Sequence, residues 1–245
     1  MLSATLSGGL LNPDLNVSVL GEQLDQQGWV VIENALRSEV AEALHEVLSK
    51  QVRWSLAYRD TEGAKKKWAE ELATLSTTEL KMVRANAIAQ ARKGFSFYYE
   101  TYMMITAYQE QRDPELPLHR VTEYINQPEW LNFMRAITGE KHIIKTSAQA
   151  TRYRAGDYLT EHNDSKKGES RYAAYVINLS KNWQADWGGL LQFIGPNKQV
   201  TDTILPQFNT ISLFKTPVPH CVSSVAEFVT AERLSITGWL RGVDK

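Results

Sequence analysis

Cysteine is nearly missing from this chain: its 245 residues include one, Cys221. A single thiol excludes a disulfide framework, a CxxC redox pair and a Cys-rich zinc site within the chain. It agrees with a reducing compartment, and a cytoplasmic protein is the expectation. An excess of charge of one sign is missing too. The 27 Lys and Arg stand against 28 Asp and Glu, for a formal net charge of −1. There is therefore no broad electrostatic case for nucleic acid or an anionic membrane as partner. No apolar run approaches the roughly 18 residues of a membrane span. The opening stretch MLSATLSGGLLNPDLN has neither a basic leader nor a long apolar segment and does not read as a signal peptide. Internal repeats and low-complexity segments are missing, as are HExxH, GxGxxG and Walker patterns that would point to other catalytic classes. What is there is ordinary globular composition, 43% hydrophobic and 22% charged, in a length that buries a sizeable core.

The two halves differ in texture. Residues 1–18 read as an irregular lead-in with turn signals at Gly8-Gly9 and Asn12-Pro13-Asp14. A short helix over 20–27, ended by Gly28, leads to a strand at 29–32. Ser38 can cap a helix whose Val40, Leu44, Val47 and Leu48 form an apolar stripe. Residues 52–58 read as a strand. The charged stretch 62–71, where Lys65-Lys66-Lys67 is followed at once by acids, reads as a solvated helix face or loop rather than a basic patch for a partner. Ser76-Thr77-Thr78-Glu79 is a capping box opening a helix that runs to about Gly94. The aromatic run 95–105 is a strand or a substrate-side loop. Two more helices follow over 118–126 and 128–138, the second with Pro128 in its first turn and Gly139 at its end. From His142 onward come short β-like runs at 143–154, 171–179, 190–194, 210–214, 221–225 and 234–240. The expectation is one structural unit: a mostly helical part over 1–141 packed on one sheet of a β-sandwich or barrel over 142–245.

His162-Asn163-Asp164 is the motif around which the rest is arranged. On an extended strand, positions i and i+2 share a face, so an imidazole nitrogen and a carboxylate oxygen could reach one metal ion. Alone, His-x-Asp is a weak signal. A second imidazole from another strand would complete a two-His-one-carboxylate set. That set occupies one face of an octahedral ion and leaves the other positions open, as in non-haem Fe(II) oxygenases. Of the five histidines, His220 is the candidate, on an approach stiffened by Pro217 and Pro219; the other reading is a turn histidine. His45 sits on the apolar-stripe helix as a boundary residue, and His119 and His142 have no nearby partner pattern. Arg233 would share a strand face with Ser235 and Thr237. An Arg in an otherwise apolar strand needs an anion. That anion is either a structural carboxylate or a dicarboxylate ligand, which guanidinium pairs bidentately.

Along the chain stand Arg152-Tyr153-x-x-Gly156-Asp157, His162-x-Asp164, Arg171, the run from Asn178 to Trp183, Trp187-Gly188-Gly189-Leu190, Phe208-Asn209-Thr210, Pro219-His220-x-Val222 and Arg233-x-Ser235-Ile236-x-Gly238-Trp239. This ordered series resembles the Fe(II)- and 2-oxoglutarate-dependent dioxygenases, and within them the prolyl-hydroxylase-like branch, over about residues 143–241. The resemblance implies an α+β fold with a double-stranded β-helix (jelly-roll) core and the N-terminal helices packed on one sheet. It implies Fe(II) held by His162, Asp164 and His220, with 2-oxoglutarate and O2 as co-substrates and ascorbate as reductant. Arg233 would pair the far carboxylate of 2-oxoglutarate, with Tyr153 nearby. Where relatives often place another tyrosine against that carboxylate, this chain has Asn178, whose amide can still donate. No catalytic residue beyond the metal ligands is implied. Gly188-Gly189 would permit a tight strand entry, and Trp239 reads as core. Related halogenases carry a small residue in place of the carboxylate, so Asp164 favours hydroxylation. The implied substrate is a prolyl residue in a protein or peptide, or a proline-like amino acid, with another small metabolite as the alternative. Lys166-Lys167-Gly168 and the aromatic run 95–102 are candidates for the entrance. Two other classes stay open: a non-redox, cupin-like metal protein, and a non-catalytic domain that kept the fold.

Overall fold

Asn16 accepts a hydrogen bond from the Val19 amide and opens helix α1 (Val17–Gln27), which Gly28 closes at φ 78, a conformation glycine adopts without strain. Then come β1 (Trp29–Ile32), α2 (Ser38–Lys50), β2 (Ser55–Asp60), β3 (Gly63–Lys67), α3 (Ala69–Thr74), α4 (Thr77–Ala91), β4 (Phe97–Tyr102), α5 (Met104–Gln109), α6 (Leu118–Tyr124) and α7 (Pro128–Thr138). The remaining strands are β5 (Lys145–Thr146), β6 (Gln149–Tyr153), β7 (Tyr158–His162), β8 (Arg171–Asn178), β9 (Leu191–Ile194), β10 (Val200–Ile204), β11 (Thr210–Lys215), β12 (His220–Val222) and β13 (Arg233–Arg241). The structure, a computed structural model, describes residues 8–244; the first seven residues of the expected lead-in lie outside the described residues.

The capping box at Ser76 and Glu79 is present, with each residue bonding the other's backbone amide. Ser38 does not cap its helix. Arg37 holds the N-cap position with no side-chain cap bond, and Ser38 is the first helical residue. The stretch 62–71 is not loop or helix throughout: β3 pairs with β2 as a hairpin, in register Arg59↔Ala64. The turn is made by the Asp60 side chain accepting the Glu62 amide and by Gly63 at φ 118, so local turn chemistry outweighs the charged composition. Strand β10 was not expected, because it shows no clear apolar alternation, and β7 was expected only as the extended segment carrying His162. The run 143–154 divides into β5 and β6.

Every strand pairing is antiparallel. The hydrogen-bonded order is β1-β11-β8-β13-β6-β4-β7-β12-β9-β10, with β2, β3 and β5 off this path. The result is a nearly closed, barrel-like sheet, as expected of a jelly-roll core. Strand β4 joins its two sides: Glu100 to Tyr102 pair with β6, while Phe97 and Tyr98 pair with β7. A strand from the first half of the chain thus closes the sheet formed by the second.

Strand alternation sorts the side chains. On β8, Ala173, Tyr175 and Ile177 pack toward the helices, and Ala174 and Val176 face a cavity; on β13, Leu234, Ile236 and Leu240 pack outward while Arg233, Ser235, Thr237 and Trp239 face in. The helical side brings Leu24, Leu44, Leu48, Trp130 and Met134 onto this sheet, all fully buried. Trp130 meets Tyr175 edge-on, ring centroids 5.5 Å apart. Truncating one of these leucines to Ala would cost about 2–5 kcal/mol. This packed layer is the rigid backing that lets β8 and β13 hold polar groups on their other face. Among the described residues, no helix is long and apolar enough to cross a membrane.

Candidate metal and co-substrate site

His162 ends β7, His220 begins β12, and the two are paired across the ladder. That register sets their rings 4.1 Å apart. Each Nδ1 faces the carbonyl two residues earlier, His162 on Thr160 at 3.0 Å and His220 on Val218 at 2.8 Å. A proton on Nδ1, donated to those carbonyls, leaves each Nε2 as a bare donor. The Nε2 atoms lie 3.4 Å and 3.5 Å from the two carboxylate oxygens of Asp164. The ligand atoms of all three residues fall within 4.8 Å of one another. One expectation is corrected: Asp164 is not on the strand with His162. It lies beyond the strand end at φ 60, and a left-handed turn, not strand parity, returns its carboxylate.

Arg171 supports that turn. Its Nη1 donates to the Asp164 carbonyl at 3.1 Å, and its guanidinium sits 3.8 Å from the centroid of Trp239. Glu169 accepts from Arg171 Nε and Nη2 at 3.0 Å and 2.9 Å. Burial pushes the Asp164 carboxyl up, but the His162 side chain and His220 outweigh it and hold the group below the usual carboxylate value. Burial and the neighbouring His162 push His220 down to about 4, against the pull of Asp164. An ionised carboxylate and a neutral imidazole are the forms a metal takes.

Farther in, Arg233 is 3% exposed. Among the described residues it has no carboxylate partner, and its Nε is buried with no hydrogen bond. Its neighbour is the ring of Tyr153, 5.1 Å away, and burial lowers its pKa. The structural ion pair is thus not made, and the cation is left for an anion from outside. Thr151 and Ser235, whose hydroxyls are 2.7 Å apart, line the same end of the cavity. Gly189 passes close by: a Cβ there would stand 3.1 Å from Arg233 Cδ.

His162, Asp164, His220, Tyr153 and Arg233 all line one cavity of about 790 Å³. Asn178 does not. It is 1% exposed and is not among the lining residues. The β8–β11 register sets it opposite Thr210, and its amide donates to Thr210 Oγ1 at 3.1 Å and Ser212 Oγ at 3.0 Å. Trp239 both lines the cavity and packs against the buried cluster of Leu191, Phe193 and Phe214. Gln149 and Thr151 line the site and were not singled out by the sequence; Tyr99, expected at the entrance as part of the aromatic run 95–102, lines it too. Tyr99 stacks on Tyr153 at 4.8 Å, a contact created only when β4 closes the sheet. Lys166 lines the cavity and Lys167 a second cleft of about 340 Å³ beside it. His45 meets the Leu179 carbonyl at 2.8 Å, His119 the Arg112 carbonyl at 2.9 Å, and His142 is exposed, all away from the cavity.

Residues 148–241 match the family model of the 2OG-Fe(II) oxygenase superfamily. No curated protein matches the chain. Among solved structures, the chain is similar to a Pseudomonas putida prolyl-4-hydroxylase at 16% identity and a TM-score of 0.58, covering 92% of this chain and 98% of that one. It is also similar to a Trichoplax adhaerens prolyl hydroxylase, solved with a peptide fragment of the hypoxia inducible factor oxygen degradation domain (17% identity, TM-score 0.62, 92% and 89% covered). A third likeness is to the non-heme alpha ketoglutarate dependent epimerase SnoN from nogalamycin biosynthesis (12% identity, TM-score 0.56, 91% and 79% covered). At these identities the structural likenesses establish the fold.

Proposed function

We propose, from the match of residues 148–241 to the 2OG-Fe(II) oxygenase superfamily model, that this chain is a 2-oxoglutarate-dependent dioxygenase that hydroxylates a prolyl residue in a protein or peptide, or a proline-like amino acid. The observation that carries the co-substrate assignment is Arg233, a buried guanidinium with no protein carboxylate among the described residues. The donor set fits Fe(II): two imidazoles and one carboxylate, converging from β7, the turn after it and β12.

Fe(II) held there with 2-oxoglutarate supplies O2-dependent C–H oxidation, with release of succinate and CO2 beside the hydroxylated product. The chain's own residues prepare the site. His162, Asp164 and His220 place their donors on one side and leave the other side to the cavity. Arg233 neutralises the far carboxylate and so fixes the direction of the co-substrate. Tyr153 is held well above the ordinary phenol value by burial and stays a neutral donor beside it. Leu159, Val176, Leu191 and Phe214 give the chamber apolar walls that limit water. The prolyl reading is supported by the prolyl hydroxylase folds above and by the aromatic lining near the mouth. Ascorbate as reductant and a cytoplasmic location are parts of the same proposal; the free Cys221 supports the latter.

The test is anaerobic titration of Fe(II)-loaded protein with 2-oxoglutarate, then exposure to O2 with prolyl peptides or free proline, with and without ascorbate. Succinate together with one oxygen added to the proline ring is the expected result. Oxidation of a different small metabolite would keep the enzyme class and change the substrate. A folded, metal-loaded protein that neither binds 2-oxoglutarate nor forms succinate would refute the proposal.

A further inference from the structure

Phe95, Phe97 and Tyr99 lie at alternate positions along one edge of the site and project to one side. Their rings follow one another at 5.6 Å and 5.8 Å, and Tyr99 continues onto Tyr153 at 4.8 Å. All four line the cavity. The wall runs from Phe95, 42% exposed at the mouth, to the buried end beside Arg233. Phe95 is also 5.7 Å from the ring of His162, so the outer rings border the metal-ligand side of the chamber. Such a wall accepts the flat apolar face of a ring.

Arg59 lies beside the outer end of that wall without itself lining the cavity. Its guanidinium carbon is 5.7 Å from the Phe95 centroid, and its cross-strand partner Ala64 lines the cavity. Arg59 is half-buried. Among the described residues its guanidinium makes no hydrogen bond and no ion pair, while its backbone belongs to the β2–β3 ladder. Nearby charges are otherwise engaged. Asp60 takes the Glu62 amide, and Glu62 pairs with Lys65. Inside the cavity, Glu161 pairs with Lys198 at 2.6 Å, Asp164 faces two imidazoles, and Lys166 and Arg171 share Glu169. Among the described residues, two arginines thus stand without a carboxylate: Arg233 lines the inner end of the chamber, and Arg59 lies just outside its lining, against Phe95 at the outer end. The co-substrate answers the inner one.

Resting on the prolyl reading above, we propose that Arg59 recognises a carboxylate on the substrate itself, so that the enzyme selects a ring-bearing substrate with an acidic group next to the ring. Phe95 holds the guanidinium plane in place, which lowers the entropy lost when a carboxylate pairs with it. The carboxylate is either the α-carboxylate of a free amino acid or an acidic side chain beside a prolyl residue.

Calorimetric titration of protein loaded with Mn(II) and 2-oxoglutarate tests this with two matched pairs of probes. One pair is L-proline and L-prolinamide. The other is an end-capped prolyl pentapeptide with Asp beside the proline and its Asn counterpart. The acidic member of one pair is expected to bind about tenfold or more tightly than its neutral partner, and the pair that shows the gap identifies the source. Arg59→Met keeps an apolar stem on Phe95 and removes the charge, so the gap closes; Arg59→Lys retains part of it. Thermal unfolding checks that both variants fold. Equal affinities within both pairs would overturn the proposal. So would an undiminished gap in folded Arg59→Met, or failure of all four probes to bind a protein that takes up 2-oxoglutarate. Failure to take up 2-oxoglutarate would instead bring down the proposed function, and this inference with it.

Discussion

Arg233→Met separates stability from function in a way that tests the reading of the inner site. The guanidinium is 3% exposed, has no carboxylate partner among the described residues and is partly compensated by the Tyr153 ring. Replacing buried ionic groups by apolar ones of similar size often stabilises by about 1–4 kcal/mol. The lower half of that range applies here, because the Tyr153 ring already compensates part of the charge, and about 1–2 kcal/mol corresponds to a rise of roughly 2–8 °C in the Tm of a domain this size. The same substitution removes a charge-assisted pairing with 2-oxoglutarate. Losing one partner of such a pair costs about 2–5 kcal/mol, a Kd weakened some 30-fold or more. The assay is thermal unfolding at fixed Mn(II), with and without 2-oxoglutarate. At a concentration near 100 times its Kd the ligand stabilises the wild type by about 2.7 kcal/mol, and the variant by less than about 1 kcal/mol. A ligand-free variant that melts below the wild type yet keeps the full response to 2-oxoglutarate would refute the reasoning, since Arg233 would then have a structural partner and no role toward the co-substrate.

Asp164→Gly should fold, because glycine adopts the φ of 60 found at Asp164 more readily than aspartate does, but it should weaken Mn(II) binding at least tenfold and abolish hydroxylation; metal titration and product mass check both, and retained hydroxylation would count against the ligand assignment. Asp157 is pushed up to about 7 by burial, with Glu100 adding to it, while the Arg154 amide and the charges of Arg154 and Arg84 oppose. With an unfolded value near 3.9, its contribution is complete below about pH 4 and is lost as pH rises through about 7, a fall on the order of 2–3 kcal/mol between pH 5 and 8. Asp157→Asn, which can still accept the Arg154 amide, should flatten that fall, and urea midpoints at the two pH values measure it; an unchanged slope would mean that another group sets it. Gly188 has φ 70 and ψ −153, and a Cβ there would overlap the Ser224 carbonyl oxygen. Gly188→Ala should therefore cost about 2–4 kcal/mol in chemical denaturation, and a loss below about 1 kcal/mol would show that the 223–225 segment yields easily.

The sequence by itself determined the elements whose physics is local. The Gly28 and Gly139 stops, the Ser76–Glu79 box and the stripe of α2 are set by neighbours a few residues away, and they stand where expected. The three residues that converge were legible as well, because few histidines were available and one had a carboxylate two residues on. Tertiary structure alone decided the rest. Strand parity placed Asp164 on β7, whereas a left-handed turn places it. The family resemblance put Asn178 on the co-substrate, whereas the β8–β11 register gives its amide to Thr210 and Ser212. Tyr99 came into the site from far upstream because β4 bridges β6 and β7. That no carboxylate among the described residues meets Arg233 is a property of the packed core, since no local pattern shows what a buried cation does not touch. Periodicity and turn chemistry act over a few residues and are written in the chain, whereas cross-strand register and the pairing of buried charge depend on residues far apart, which only the closed sheet brings together.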